Sequence, residues 1–101
     1  MKYIRDEAFG YCYDLEEVIC SDNNLQIIGN RAFYECEKLK YFNIPDTVLV
    51  LGLKAFKNCF SCDIYDASKK KIGHDFFKNC KSVNYLLSEN SLKMGNFDDK
   101  I

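Results

Sequence analysis

No hydrophobic run in this sequence approaches the roughly 20 residues needed to cross a bilayer, which excludes a helical membrane span. The opening, Met1-Lys2-Tyr3-Ile4-Arg5-Asp6-Glu7, has no long apolar stretch behind a basic head and does not read as a signal peptide. The chain is therefore expected in the cytosol as it stands, or at the cell surface or secreted if it is a stretch of something longer. An excess of one charge is lacking too. The net charge of −1 gives no general pull toward nucleic acid or an anionic membrane. Histidine is represented by His74 alone. There is no Ser-His-Asp set, nucleotide-binding glycine loop or paired metal-ligand motif. The expectation is a protein that is not an enzyme and takes no cofactor.

What is present argues for one packed unit. A chain of 101 residues is expected to form a single domain, 1–101. With 48% hydrophobic and 15% aromatic residues it has ample material for a core, which argues against intrinsic disorder. Charge is spread unevenly: residues 1–50 carry −4 and residues 51–101 carry +3. Such a dipole along the chain would favour head-to-tail contacts, or it reflects only a differently solvated surface.

Internal repetition is the dominant signal, and it decides the fold before any local reading does. Ala8-Phe9-Gly10-Tyr11-Cys12 recurs as Ala32-Phe33-Tyr34-Glu35-Cys36, as Ala55-Phe56-Lys57-Asn58-Cys59 and as Phe76-Phe77-Lys78-Asn79-Cys80. An aliphatic residue precedes each block by four positions (Ile4, Ile28, Leu51, Ile72), followed in three cases by glycine (Gly29, Gly52, Gly73). Three residues beyond each cysteine stands Leu15, Leu39, Cys62 or Val83. The phenylalanines are spaced by 24, 23 and 21 residues, within the range of leucine-rich repeats. The repeats are read as approximately 4–27, 28–50, 51–71 and 72–93, with 94–101 a partial repeat or cap.

One such unit has an apolar side that it cannot bury alone, so successive units stack over a common core. The predicted fold class is α/β: a leucine-rich-repeat solenoid of about four stacked repeats. A short parallel sheet lines its concave face, with short helical or 3₁₀ turns opposite. The i, i+3 spacing of Phe and Cys within each block predicts the turn, with both side chains inward. The alternation after the leucine position predicts the strand.

The stretch Ile28-Gly29-x-x-Ala32-Phe33-x-x-Cys36-x-x-Leu39-x-x-Phe42-x-Ile44-Pro45-x-x-Val48 closely resembles the BspA-like class of leucine-rich repeat. The resemblance runs over nearly the whole chain. It departs from the pattern at Cys62, where leucine is usual, and at Phe76, where alanine is usual. It implies a curved solenoid serving adhesion or protein–protein recognition, with no catalytic residues to carry over.

All six cysteines fall on inward columns of this repeat. Cys12, Cys36, Cys59 and Cys80 form one column; Cys62 takes a leucine position, and Cys20 shares the column of Ile44. They read first as small buried hydrophobes. Cys59-x-x-Cys62 has the spacing of a redox or zinc half-site, but it arises from two superimposed repeat columns and has no second pair. Rungs about 4.8 Å apart would also let Cys12–Cys36 or Cys59–Cys80 bridge in an oxidising compartment.

The strand positions between the core residues are the candidate binding surface. Inward residues are expected at Val18 and Cys20, Phe42 and Ile44, Tyr65 and Ala67, and Leu86 and Ser88. That leaves Glu17, Tyr41, Ile64 and Tyr85 in one outward column and Ile19, Asn43, Asp66 and Leu87 in the next. Tyrosine with aliphatic neighbours is a composition enriched in interface anchors, though it also favours strands for its own sake. A register error of one residue would turn such a set inward. The expected partner is a protein or host-surface ligand, not nucleic acid. Lys69-Lys70-Lys71 with Lys54, Lys57, Lys78 and Lys81 is read as a solvated basic rear. Neither end carries a dedicated polar cap, so homo-oligomers through uncapped solenoid ends are also expected.

Overall fold

A computed structural model of the chain describes residues 2–20, 24–68 and 75–85. They form a small β-solenoid of about three turns whose strands run parallel. Six short strands alternate between two sheets. β1 (Tyr3–Ile4), β2 (Ile27–Ile28) and β4 (Val50–Leu51) make the first sheet. β3 (Tyr41–Ile44), β5 (Asp63–Asp66) and β6 (Ser82–Tyr85) make the second. Each coil contributes one strand to a sheet, so neighbours in space are one repeat apart in sequence.

The core is built by columns. Ile4, Ile28 and Leu51 are buried in one, and Phe33 and Phe56 in another. The Phe9 and Phe33 rings stack 5.2 Å apart at 10°, and Phe33 and Phe56 4.8 Å apart at 7°. Those separations match the spacing of neighbouring strands, so the repeat period itself brings ring onto ring. Phe42 leans across both, 4.9 Å from Phe33 and 5.1 Å from Phe56. Full burial of a phenylalanine contributes about 1.5–3 kcal/mol, and these rings run as one stack through successive coils.

The blocks expected to be short helical or 3₁₀ turns are runs of separate tight turns; neither kind of helix occurs among the described residues. The hydrogen bonds show why. In the second coil the amides of Ala32, Tyr34 and Cys36 donate three residues back, to the carbonyls of Gly29, Arg31 and Phe33. The alternate amides of Arg31, Phe33 and Glu35 donate instead to Leu53, Ala55 and Lys57 of the next coil, at 2.9, 2.7 and 2.9 Å. A helix would need each amide for a partner four residues back. Here every second one holds the neighbouring coil.

Left-handed residues enforce this alternation. They fall just before the Ala-Phe pair and just before the cysteine: Glu7 and Tyr11, Arg31 and Glu35, Lys54 and Asn58, Asp75 and Asn79. Their φ values lie between 53° and 65°. Such residues interrupt a right-handed helix at about 1–2 kcal/mol each, which the inter-coil ladder offsets.

Glycine sits where the coils come closest. A Cβ on Gly52 would lie 2.4 Å from the Asn30 nitrogen, and one on Gly29 would lie 2.5 Å from that of Asp6. The next residues form a side-chain ladder along the same edge. Asp6 Oδ1 accepts from the Asn30 amide at 2.8 Å, and Asn30 Oδ1 accepts from the Leu53 amide at 2.8 Å.

Strand register departs from the expected one in the third coil and again in the fourth. In the fourth, Val83, expected in the leucine column, pairs with Ile64 as the first inward strand residue, and Tyr85, expected outward, pairs with Asp66. In the third, Phe42 pairs with Ile64 and Ile44 with Asp66, while Asn43 pairs with Tyr65. Ile64 and Asp66 are therefore inward, 0% and 2% exposed, and Tyr65 is outward at 37%. The cause is spacing. The leucine position and the first inward strand residue are three apart in the second coil (Leu39, Phe42) and two apart in the third (Cys62, Ile64). One residue fewer turns every later side chain to the other face.

Candidate partner-binding surface

The outward face of the second sheet follows from that register. Tyr41, Asp63 and Ser82 align across its three strands, and Asn43, Tyr65 and Asn84 align beside them. The first coil extends the first of these columns. The Lys40 amide donates to the Glu16 carbonyl at 3.0 Å, and Tyr41 Oη donates to Glu17 Oε2 at 2.7 Å. Glu17 thus stands next to Tyr41, one rung before it. The hydrogen bond to Glu17, followed by the charge of that carboxylate, holds the Tyr41 phenol above its usual pKa. Ile19, 74% exposed, lies two residues beyond Glu17.

Polar contacts fix the far side of the face. Ser82 Oγ donates to Asp63 Oδ1 at 2.7 Å, and Lys81 Nζ stands 3.9 Å from Asp63 Oδ2. Asn84 Nδ2 donates to the Ile64 carbonyl at 3.1 Å. Near the other side, Lys40 pairs with Glu16 at 3.2 Å. Exposed pairs of this kind contribute little stability. The face therefore presents two tyrosines and two asparagines framed by carboxylates.

Of the residues expected outward, the structure brings Glu17, Tyr41 and Asn43 together here, with Ile19 exposed on the adjoining stretch. Ile64 and Asp66 are inside. The Asp66 carboxylate is accommodated there through Oδ1, which accepts from both the amide and the hydroxyl of Ser68. Tyr85 pairs in register with Asp66, in the inward column. It is 54% exposed on the last described strand, its ring 6.4 Å from that of Phe77. Leu87 lies outside the described residues, as do Leu86, Ser88, His74 and Lys69 to Lys71. Asp63, Tyr65, Ser82 and Asn84 were missed by sequence reasoning. The alternation of Cys62 and Ile64 with Asp63 and Tyr65, and of Val83 and Tyr85 with Ser82 and Asn84, was the signal that could have found them.

The six cysteines carry free thiols. Cys36, Cys59 and Cys80 repeat one contact, each Sγ donating to the phenylalanine carbonyl of the preceding coil: Phe9 at 3.1 Å, Phe33 at 2.9 Å and Phe56 at 3.1 Å. The Cys36 and Cys80 thiols on either side, together with burial, push the Cys59 thiol far up. Burial raises Cys62 to about 12. A thiol kept neutral is a poor nucleophile and a poor metal ligand, and burial favours the neutral form of both Cys59 and Cys62. Among the described residues no group of three or more His, Cys, Asp or Glu side chains is placed to hold a metal ion. No described helix is long and apolar enough to cross a membrane.

No curated protein and no solved structure matches this chain. The sequence model of the BspA type leucine rich repeat region does, with six copies over residues 2–97, and the chain belongs to that family.

Proposed function

We propose that this chain is a recognition or adhesion module that binds a macromolecular partner through the outward face of its second sheet. Leucine-rich repeats commonly serve as protein–protein interaction modules and are generally non-enzymatic scaffolds. The observation that carries the reading is the pair of aligned columns, Glu17–Tyr41–Asp63–Ser82 and Asn43–Tyr65–Asn84. Tyrosine supplies a large contact area at low entropic cost, and asparagine supplies adaptable hydrogen bonds. Ile19 adjoins this face, while Tyr85, exposed on the last described strand but aligned with the inward column, is not part of it. Ile64 and Asp66 support it from beneath. The test is partner capture by the native chain and by a Tyr41→Ala/Tyr65→Ala variant that keeps the native circular dichroism. A protein held by the native chain and lost by the variant supports the reading. Equal capture by both refutes it.

A second reading, end-to-end self-assembly, draws on the polarity of the inter-coil ladder. The Ala8 and Gly10 carbonyls correspond to those of Ala32 and Tyr34, which accept from the first coil, yet they accept no backbone hydrogen bond among the described residues. Such an edge can pair with a second copy. Stacking of that kind would give a mass by light scattering that grows with concentration, whereas a constant mass excludes it.

A further inference from the structure

A second surface, on the blocks of the first two coils, is not accounted for by the sheet face. The Tyr11 ring stands 5.4 Å from that of Tyr34 at 76° and 6.2 Å from that of Tyr13 at 62°. Three rings thus form a corner. Tyr11 and Tyr13 are 52% and 48% exposed.

The fold does not require this corner. Tyr11 holds a φ of 61°, in the left-handed region, where a bulky side chain is an outlier and asparagine is at home. Asn58 and Asn79 occupy the corresponding positions of later coils. The bond that Tyr11 contributes to stacking, from its amide to the Tyr34 carbonyl at 2.7 Å, is a backbone bond that any residue but proline would make. An aromatic kept in an unfavourable backbone conformation, half in water, points to a role outside the fold.

The surroundings fix the sign of charge that suits it. Glu35 and Glu37 act on the Tyr13 phenol, which is raised first by burial and then by these two carboxylates. Of the neighbouring cations, Lys38 Nζ lies 3.4 Å from Asp14, the Arg31 guanidinium sits 5.9 Å from the centre of the Tyr34 ring, and Lys57 stands one coil beyond Tyr34. The second contact is a cation laid over a tyrosine, within the chain itself.

We propose that the Tyr11–Tyr13–Tyr34 corner, flanked by Glu35 and Glu37, is a docking surface for a cationic peptide segment of a partner protein. An arginine or lysine side chain would lie over the exposed rings, held by the ring quadrupoles and the two carboxylates. This surface is separate from the sheet face and does not depend on it.

The test measures fluorescence anisotropy of labelled oligo-arginine and oligo-glutamate peptides of equal length with the intact chain. Oligo-arginine is expected to bind and oligo-glutamate not. Tyr11→Asn should weaken oligo-arginine binding by about tenfold, the scale of one lost cation–aromatic contact with its neighbours. Its melting temperature should be no lower, because the substitution relieves the backbone. Glu35→Gln/Glu37→Gln should weaken binding as well, and Tyr41→Ala should not. Equal binding of both peptides would overturn the proposal. So would undiminished binding by Tyr11→Asn, or a lower melting temperature, which would make the tyrosine part of the packing. Sedimentation of the chain alone covers the remaining case. A dimer that Tyr11→Asn dissociates would give the surface to a second copy and overturn the proposal.

Discussion

At Gly52 two coils approach so closely that one extra carbon decides whether they can stack. The atoms in its way, the Asn30 nitrogen and the Gly29 carbonyl carbon at 2.4 and 2.5 Å, are backbone and cannot rotate aside. Gly52→Ala should therefore cost about 3 kcal/mol, the upper end of overpacking penalties, read as a lower urea midpoint. For a domain whose total stability is about 5–15 kcal/mol, that is a large share. Cys62 makes a different residue-scale statement. Its thiol is neutral and buried, with a pKa raised from 9.0 to about 12. The folded state thus holds this proton more tightly than the unfolded one. The stabilisation is complete below about pH 9 and is lost as pH rises toward 12. Urea midpoints measured across that window should fall more steeply for the native chain than for Cys62→Ala. Equal slopes would mean that Cys62 is not buried as a thiol.

Elements are where sequence and structure part company. The blocks, the phenylalanine and cysteine columns and the close-approach glycines were legible because each repeats at a similar period and each serves the stack. Strand register in the third coil was not legible, because the run from the leucine position to the strand had lost a residue while the block before it kept its spacing. The turns were misread for another reason. An i, i+3 spacing of Phe and Cys fits a helical turn and a chain of tight turns equally well. The pair of left-handed residues that separates them shows little in composition, being Glu, Tyr, Arg, Lys, Asp or Asn. The corrected register is itself testable. Ile64→Asp should destabilise by about 3 kcal/mol or more, as an unpaired charge placed in the core does. Tyr65→Asp, on the opposite face, should change stability by no more than about 1 kcal/mol. The reverse order would restore the register that puts Ile64 outside.

For the whole molecule, stacking separates three jobs by direction. Side chains pointing inward build one continuous core, backbone amides and carbonyls tie coil to coil, and side chains pointing outward are left to vary. In such a quasi-one-dimensional array each coil is supported by its neighbours alone, so outward columns can change without cost to the fold. That freedom is why the candidate binding residues were the least legible part of the chain: nothing in the stack dictates them, and only the register says which they are. Whether the second sheet carries the partner is decided by site-specific photo-cross-linking. A benzoylphenylalanine probe would replace Tyr65 on that sheet and, in a separate chain, the exposed Tyr3 on the first sheet. A single cross-linked partner is expected from position 65 and none from position 3. A partner captured from position 3 and not from position 65 would contradict it.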